Sequence, residues 1–228
     1  IGNGQYLRDL FNAVNADFFY VNDGSEDNTK SKLIELSRIT KAKFISLDVN
    51  AGKGEAIRAG LIEATRTGTY DLLGYLDADG AFPISEVIRS TDLARSTFLA
   101  VPNIDIYIAA RIKLAGKNIK RSSIRHYLSR LIITIIGFNT KNMPYDSQSG
   151  LKFFRNTDTF RNALEEPFVT RWFFDLELMS RLGMRERNCI WEEPVNSWSD
   201  IKGSKIGLRS VLSIAKELRK VMRILARV

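Results

Sequence analysis

The chain has 228 residues, of which 44% are hydrophobic and 26% charged, and it carries a formal net charge of +8. This length supports one sizeable α/β core, or one domain with an appendage, and the positive charge predicts an anionic partner such as nucleic acid, a lipid surface or a phosphorylated small molecule. A single cysteine excludes an internal disulfide and a multi-cysteine zinc site, the lone histidine argues against histidine-based catalysis, and no apolar run approaches the ~20 residues that span a bilayer.

Helical and extended patterns alternate through the first half of the chain. Residues 5–15 have helical apolar spacing, and strand-like apolar runs separated by helical segments follow them. The alternation indicates an α/β fold with a mostly parallel sheet flanked by helices, whose ligands bind outside the carboxyl ends of the strands. The predicted strands lie within 17–25, 43–49, 70–80 and 104–112, and the predicted helices between them within 25–39, 50–68 and 84–96.

The pattern changes after about residue 113. A basic segment leads into the apolar run 131–138, which fits either a buried helix or a strand. Pro194 places the last predicted strand near a sheet edge. Residues 205–228 form a long amphipathic helix with seven basic residues and one acidic residue, so we predict a main domain of residues 1–204 followed by this helix. The further elements predicted are a loop and strand in 142–155, a helix in 171–183 and a strand in 189–198.

Two carboxylates, Asp77 and Asp79, follow the third predicted strand one residue apart. Side chains so spaced at a strand end repel each other unless a cation lies between them. Oxygen ligands of this kind suit Mg²⁺ or Mn²⁺, which would in turn hold a diphosphate. The competing interpretation is a solvated acidic turn.

Polar loops also follow the first two predicted strands. Asp23 could accept a hydrogen bond from the edge of a nucleotide base, with Gly24 allowing close backbone approach, or the segment could be a simple turn and helix cap. The stretch 50–60 lacks both the P-loop and the dinucleotide-binding glycine spacing. We interpret it as a tight turn that carries Lys53 toward an anionic ligand. The alternative is that its glycines are needed only to form the turn.

The ordered motifs VNDGSEDNT, NAGKGEAIRAG and YLDADG resemble glycosyltransferase family 2, whose members have the GT-A fold. The later segments DSQSGLKFFR, RWFFDLELM and PVNSWSDIKGSK resemble its polyisoprenyl-phosphate glycosyltransferases, including dolichyl-phosphate mannose synthases and, closer still, the dolichyl-phosphate β-glucosyltransferase type. The resemblance covers nearly the whole chain. It implies a GT-A catalytic domain in residues 1–204. Since the chain begins on a helical pattern, we expect the family's opening strand to be missing from it.

The resemblance implies a role for individual residues on the donor side. Asp23 would meet the base, Asp77 would lie near the ribose and diphosphate, and Asp79 would ligate the metal together with Asp77. The position where mannose synthases carry a further metal contact, a glutamine, is Ala81 here, which favours the glucosyl branch and leaves the third contact open. The donor-binding set expected is Asp23, Gly52, Lys53, Asp77 and Asp79.

On the acceptor side, the resemblance implies that Arg111, Arg125 and Ser129 bind the acceptor phosphate, although both arginines could be ordinary surface charge. Asp146 matches an acidic loop position and is a positioning candidate, while Asp175 is either structural or lines the acceptor side. Lys202 and Lys205 could close over the donor diphosphate. A lipid monophosphate is already anionic near neutral pH, so an inverting displacement needs positioning and charge stabilisation rather than a strong base. The catalytic set expected is Asp79, Arg111, Arg125 and Asp146.

The partners expected are therefore a nucleotide-diphosphate sugar, with UDP-glucose favoured, and a polyprenyl or dolichyl phosphate. The basic helical segments suit peripheral attachment to the cytoplasmic face of a membrane, while packing of the last helix on the domain or on a second subunit of a homo-oligomer is the alternative. Mannose or another sugar, or a polysaccharide or protein acceptor, is the second functional interpretation. A nucleic-acid-binding domain is disfavoured, because no recognised motif or interleaved aromatic residues accompany the basic charge.

Overall fold

A computed structural model describes residues 4–121, 123–138, 140–201 and 208–226, with the backbone alone for 123–129, 208–215 and 226. The helices are α1 (Gly4–Ala13), α2 (Thr29–Thr40), α3 (Lys53–Thr67), α4 (Ile84–Ala100), α5 (Ser123–Gly137), α6 (Asp158–Ala163), α7 (Phe174–Arg181) and α8 (Leu208–Ala226). The strands are β1 (Phe19–Asn22), β2 (Lys43–Ser46), β3 (Leu72–Leu76), β4 (Ile106–Ala110), β5 (Asn118–Lys120), β6 (Leu151–Arg155), β7 (Ile190–Pro194) and β8 (Ser197–Ser199).

The strands form one four-stranded sheet and two parallel pairs. The large sheet has the order β3-β6-β4-β7, and the pairs are β1-β2 and β5-β8. Strand β6 runs antiparallel to both of its neighbours, whereas β4 and β7 are parallel. Strand β7 lies at the sheet edge, as Pro194 predicted. The α/β architecture is confirmed, and the ambiguous run 131–138 lies mostly in helix α5.

Strand β4 is the centre of the core. All five of its residues are buried, because helices cover both faces of the sheet. Ile106 and Ile108 face a cluster shared with α3, α5, α7 and α8, while Tyr107 and Ala109 face a cluster shared with α1 and α4. This alternation of side chains along one strand holds the two helical layers in place.

Helix α3 packs on both β1 and β3, yet these strands are not paired with each other in the described part of the chain. Parallel strands joined by crossover helices direct their carboxyl ends to one edge of the fold. The polar segments after β1, β2 and β3 therefore converge there. The missing opening strand stays a prediction.

Helix α8 packs one face on the domain. Val221 and Leu225 are 0% and 3% exposed and belong to the core cluster of β4 and α7. The basic side chains that the structure describes on α8 are exposed; these are Lys216, Arg219, Lys220 and Arg223. Packing on the domain, one of the two predicted arrangements, is therefore present. The boundary at residue 204 falls among residues that the structure does not describe and stays a prediction.

A search of the described helices finds none with the length and apolar character needed to cross a membrane.

Candidate active site

The Asp23 carboxylate ties together the loops that follow β1 and β2. It accepts hydrogen bonds from the backbone amides of Ala51 at 2.8 Å and Gly52 at 3.0 and 3.1 Å. Gly24 lies at φ +56, and a β-carbon there would collide with the backbone of Val49 and Asn50. Asp23 and Gly24 therefore lie where the loop after β1 contacts the loop after β2. Contact of Asp23 with a nucleotide base stays a prediction.

The glycines of the 50–54 turn make space for side chains from a distant segment. A β-carbon on Gly52, which has φ +98, would lie 2.6 Å from Nε of Arg171. A β-carbon on Gly54 would lie 2.8 Å from Cβ and Cγ of Phe174. The two glycines therefore serve close packing as well as the turn. Sequence reasoning missed this, because residues 171–174 are more than a hundred positions away.

The 50–54 turn delivers Lys53 to the carboxylates after β3. The Lys53 ammonium group lies 2.7 Å from the Asp77 carboxylate. Asp77 is fixed in turn by its own amide, which donates to the Gly150 carbonyl at 2.8 Å, and a side chain at Gly150 would collide with the Asp77 carboxylate. The two predicted donor-site residues thus lie together as an ion pair.

The Asp79 carboxylate is bound by the backbone of the turn that follows it. Its Oδ1 accepts a hydrogen bond from the Ala81 amide at 2.9 Å. Burial raises the pKa of the Asp79 carboxyl, and the neighbouring charge of Asp77 adds to that rise. A cation between the two carboxylates would relieve both effects.

The donor set around Asp77 and Asp79 fits Mg²⁺ or Mn²⁺. The Lys53 ammonium group already occupies a cation position against Asp77. Among the described residues, no group of three or more His, Cys, Asp and Glu side chains is arranged to hold a metal. Mg²⁺ commonly binds through one or two carboxylates and completes its shell with water and substrate phosphate. The metal therefore stays a prediction that this geometry accommodates.

Arg111 and Asp146 form a buried clamp after β4. Two oxygens of Asp146 accept from Nε of Arg111 at 2.8 Å and from Nη2 at 2.7 Å, and Oδ2 also accepts from the Arg111 amide at 2.7 Å. Burial alone raises the pKa of Asp146, but the Arg111 charge and hydrogen bonds outweigh it and hold that pKa at about 2. Asp146 is therefore a fixed anion that orients Arg111, and it is too weak a base to accept a proton near pH 7.

The clamp lies beside a second arginine and an aromatic ring. Cζ of Arg111 is 5.1 Å from the centre of the Trp198 ring, which β8 brings into place by pairing with β5. Arg121 directly follows β5, and burial together with the Arg111 charge lowers the pKa of Arg121. The charges of Asp146 and Asp200 oppose that change, so Arg121 belongs to the same charged group as the clamp. Sequence reasoning missed Arg121 and Trp198.

Glu192 of β7 holds the loop that carries Asp146. Its carboxylate accepts from the amides of Tyr145 at 2.7 Å and Asp146 at 2.8 Å. Burial raises the pKa of Glu192, while these amide hydrogen bonds oppose the rise. Glu192 thus supports the clamp from behind, a role that its position in the strand pattern did not reveal.

A buried ion pair joins Lys152 of β6 to Asp175 of α7. Nζ of Lys152 is fully buried and lies 2.8 Å from both Asp175 Oδ1 and the Tyr75 hydroxyl. The Tyr75 hydroxyl also donates to Asp175. Burial lowers the pKa of Lys152, and Asp175 opposes that change. Asp175, predicted as either structural or acceptor-lining, is therefore a structural partner of Lys152 in this arrangement.

Several predicted residues lie outside the described side chains. Arg125 and Ser129 occur in helix α5 one turn apart, but the structure gives only their backbone. Lys202 and Lys205 lie among residues 202–207, outside the described part of the chain. Their assignments to the acceptor phosphate and the donor diphosphate stay predictions.

The α/β fold and the two carboxylates after β3 agree with the family that the sequence motifs indicated. A family model described as glycosyl transferase family 2 matches residues 4–144. The chain belongs to this family, and its α/β architecture is the GT-A fold.

Similarity to individual proteins extends over most of the chain. The chain is 31% identical over 205 residues to dolichyl-phosphate beta-glucosyltransferase ALG5A of Trichomonas vaginalis, covering 88% of this chain and 59% of that protein. The dolichyl-phosphate beta-glucosyltransferase of Dictyostelium discoideum is 28% identical over 207 residues, or 88% and 61% of the two chains. The Homo sapiens protein of the same name is 31% identical over 204 residues, or 87% and 60%. The resemblance read from the motifs is confirmed, and the chain spans about three fifths of the length of these curated relatives.

Proposed function

We propose that the protein transfers a hexose, favoured as glucose, from a nucleotide-diphosphate sugar to a polyprenyl or dolichyl phosphate with inversion at the anomeric carbon. The observation that carries this proposal is one short loop, residues 146–150, which joins the two halves of the site. Asp146 at its start clamps Arg111, and Gly150 at its end hydrogen-bonds the Asp77 backbone. One loop therefore holds both Arg111, which follows β4, and the backbone at Asp77, which follows β3.

The hydrogen bonds of Ser149 hold this loop in place. Ser149 Oγ donates to the Ala109 carbonyl of β4 at 2.6 Å, and the Ser149 amide donates to the Asp146 carbonyl at 3.1 Å. Lys152 Nζ donates to the Ser149 carbonyl at 2.5 Å. Reacting groups held by such a loop keep their separation, and this positioning contributes to the rate without any proton transfer.

On the donor side, Asp77, Asp79 and Lys53 would receive the nucleotide diphosphate. A bound Mg²⁺ or Mn²⁺ would stabilise negative charge on the departing diphosphate. Asp77 and Asp79 would hold that ion, and Lys53 would bind a phosphate oxygen of the donor. Asp23 would orient the turn and, through it, the base.

On the acceptor side, Arg111 would hold the lipid phosphate. Asp146 occupies Nε and Nη2 of its guanidinium, and Nη1 has no hydrogen-bond partner among the described residues. A phosphate monoester has a second pKa of about 6, so an oxygen of the acceptor is already a nucleophile at neutral pH. Its attack on the anomeric carbon breaks the bond to the diphosphate and requires no base. Arg121 would add positive charge, and Arg125 and Ser129 complete the proposed set.

The proposed acceptor places the reaction at a membrane surface. The exposed basic side chains of α8 suit an anionic lipid headgroup layer, and we propose peripheral attachment at the cytoplasmic face. Contact of α8 with a second subunit of a homo-oligomer remains the predicted alternative. A polysaccharide or protein hydroxyl as acceptor would require a carboxylate base, and the low pKa of Asp146 and the pairing of Asp175 with Lys152 disfavour it.

The direct test is transfer of radiolabel from nucleotide sugars to a short polyprenyl phosphate in the presence of Mg²⁺ or Mn²⁺. We expect organic-extractable label with UDP-glucose, and loss of that label on chelation of the metal. Absence of extractable label with every common sugar donor would overturn the proposal. Label that appears instead on a carbohydrate or protein acceptor would favour the second interpretation.

A further inference from the structure

The segment 170–174 lies between helix α8 and the 50–54 turn of the donor site. On its inner side, Nη2 of Arg171 donates to Oδ1 of Asn50 at 2.6 Å, and its Nε occupies the space beside Gly52. Phe174 fills the space beside Gly54. The turn is therefore held by the side chains of Arg171 and Phe174 and by the Asp23 carboxylate.

The same segment is anchored to α8 through its backbone. Oε2 of Glu217 accepts from the Arg171 amide at 2.6 Å and from the Trp172 amide at 3.4 Å. Glu217 is 8% exposed, and Lys220 pairs with its other oxygen at 3.2 Å. A buried carboxylate that binds backbone amides fixes the position of the segment strongly, since charge-assisted hydrogen bonds are stronger than neutral ones.

We propose that Arg171 is a positioning residue for the nucleoside diphosphate of the donor and that Glu217 of α8 sets its position. The contacts form one path, from Glu217 to the Arg171 backbone, then through the guanidinium to Asn50 and the turn. The inference rests on the proposed function, because it assigns the turn to donor binding. Through this path α8 supports the donor site in addition to covering the core.

The path has a specific consequence for Lys53. Its ammonium group reaches Asp77 only while the turn that precedes α3 stays in place, and it lies 5.9 Å from the centre of the Phe174 ring. Loss of the Arg171 contact leaves the turn held by the Asp23 carboxylate and by the packing of Phe174. Donor affinity should therefore fall, while the Arg111 clamp, which is built from other segments, should not change.

The first test is hydrogen–deuterium exchange of the free protein in the peptide that contains residues 49–54. Arg171→Ala and Glu217→Ala should each accelerate exchange there, and the double variant should be no faster than the faster single variant, because both act on one path. Arg38→Ala, which removes an exposed arginine from α2, should leave the peptide unchanged. Unchanged exchange in the Arg171 and Glu217 variants would overturn the inference whether or not the proposed reaction occurs.

The second test measures donor against acceptor. In Arg171→Ala the dissociation constant for UDP should rise about fivefold, the loss expected for one hydrogen bond, and Arg171→Lys should recover part of it. The KM for the nucleotide sugar should rise in parallel, with the KM for polyprenyl phosphate unchanged. Equal losses for both substrates, or accelerated exchange with unaltered UDP binding, would overturn the donor role. An inactive wild-type enzyme whose variants still show the exchange effect and weakened UDP binding would contradict the proposed reaction and leave this inference standing.

Discussion

At the scale of single residues, the chemical role of each charged side chain in the site depends on the residue with which it is paired. Asp146 and Asp175 appear equivalent in the sequence as acids in the second half of the chain. In the fold, Arg111 neutralises the first and Lys152 the second, so neither is a free base. Asp77 is paired instead with Lys53, whose ammonium group is exposed on the surface, so an added cation could take its place against the carboxylate.

Asp146 should contribute a pH-dependent part of the stability. Its pKa is about 2 in the fold, below the ordinary value near 3.9, so its contribution is present above pH 4 and is lost as the pH falls toward 2. The size of that part is about 2 kcal/mol. Urea unfolding of the wild type and Asp146→Asn should show a free-energy difference that shrinks between pH 5 and pH 2.5, provided both remain folded there. A difference independent of pH would show that the charge of Asp146 is not what stabilises the clamp.

The metal assignment predicts a different outcome for Asp79. Asp79→Asn keeps the side-chain shape and an oxygen that can accept from the Ala81 amide, but removes the charge that would hold a cation. We expect unchanged thermal unfolding without metal, loss of the stabilisation that Mn²⁺ with UDP gives the wild type, and turnover reduced by at least about tenfold. Full retention of the Mn²⁺-dependent shift would contradict the assignment of Asp79 as a ligand.

Lys152 shows where sequence reasoning failed at this scale. A lysine in an alternating strand pattern usually faces solvent, and nothing local indicates that this one is fully buried. Its partner Asp175 lies on a helix 23 residues later. Only the packing of α7 on β6 and β3 brings them together, and such a contact cannot be deduced from either segment alone.

Breaking this buried pair should be costly. Lys152→Met leaves the Asp175 carboxylate buried without its cation, which is expected to lower the free energy of unfolding by roughly 3–5 kcal/mol. Adding Asp175→Asn removes the uncompensated charge, so the double variant should be more stable than Lys152→Met alone. Denaturant unfolding of the four proteins in the cycle measures this, and simple additivity would argue against a direct pair.

At the scale of elements, the alternation of strands and helices and the acids at strand ends were predictable from the sequence. Apolar runs, glycine turns and polar loops are local signals, and they gave β1 to β4 with their helices and the candidate donor residues. The direction of β6 was not predictable, because hydrophobic pattern does not indicate whether a strand runs parallel or antiparallel to its neighbours. Its antiparallel insertion between β3 and β4 matters, since it brings loop 146–150 beside Asp77.

The packing of residues 171–174 on the donor turn predicts that Gly54 tolerates no side chain. In Gly54→Ala the new β-carbon would collide with Phe174, and overpacking of this kind costs roughly 1–3 kcal/mol. Gly137→Ala in α5 is the matched control, because its β-carbon would meet Met143 at an ordinary 3.7 Å. The midpoint temperature of thermal unfolding and the affinity for UDP should both fall in Gly54→Ala. Both should remain near the wild-type values in the control. Equal behaviour of the two variants would contradict the close packing.

At the scale of the whole molecule, charge and function are related through α8. The sequence predicted its amphipathic character but left open whether the apolar face meets lipid or protein. Val221 and Leu225 lie in the core, so the surface available to a membrane is the basic face rather than the apolar one. Attachment by that face would be electrostatic, dependent on anionic lipid and weakened by salt.

Reversing the charge of this face should therefore strongly weaken attachment without unfolding the domain. The variant Lys216→Glu, Arg219→Glu, Arg223→Glu should bind vesicles of phosphatidylcholine and phosphatidylserine at least about a hundredfold more weakly than wild type, because each basic residue near the surface contributes roughly 1 kcal/mol and the new acids repel the lipid. The matched control Lys30→Glu, Lys32→Glu, Arg38→Glu makes the same change in net charge on the exposed side of α2. Cosedimentation with and without phosphatidylserine separates the outcomes. Equal losses in both variants would mean that net charge, and not the face of α8, governs attachment, whereas wild-type binding to phosphatidylcholine alone would contradict an electrostatic mechanism.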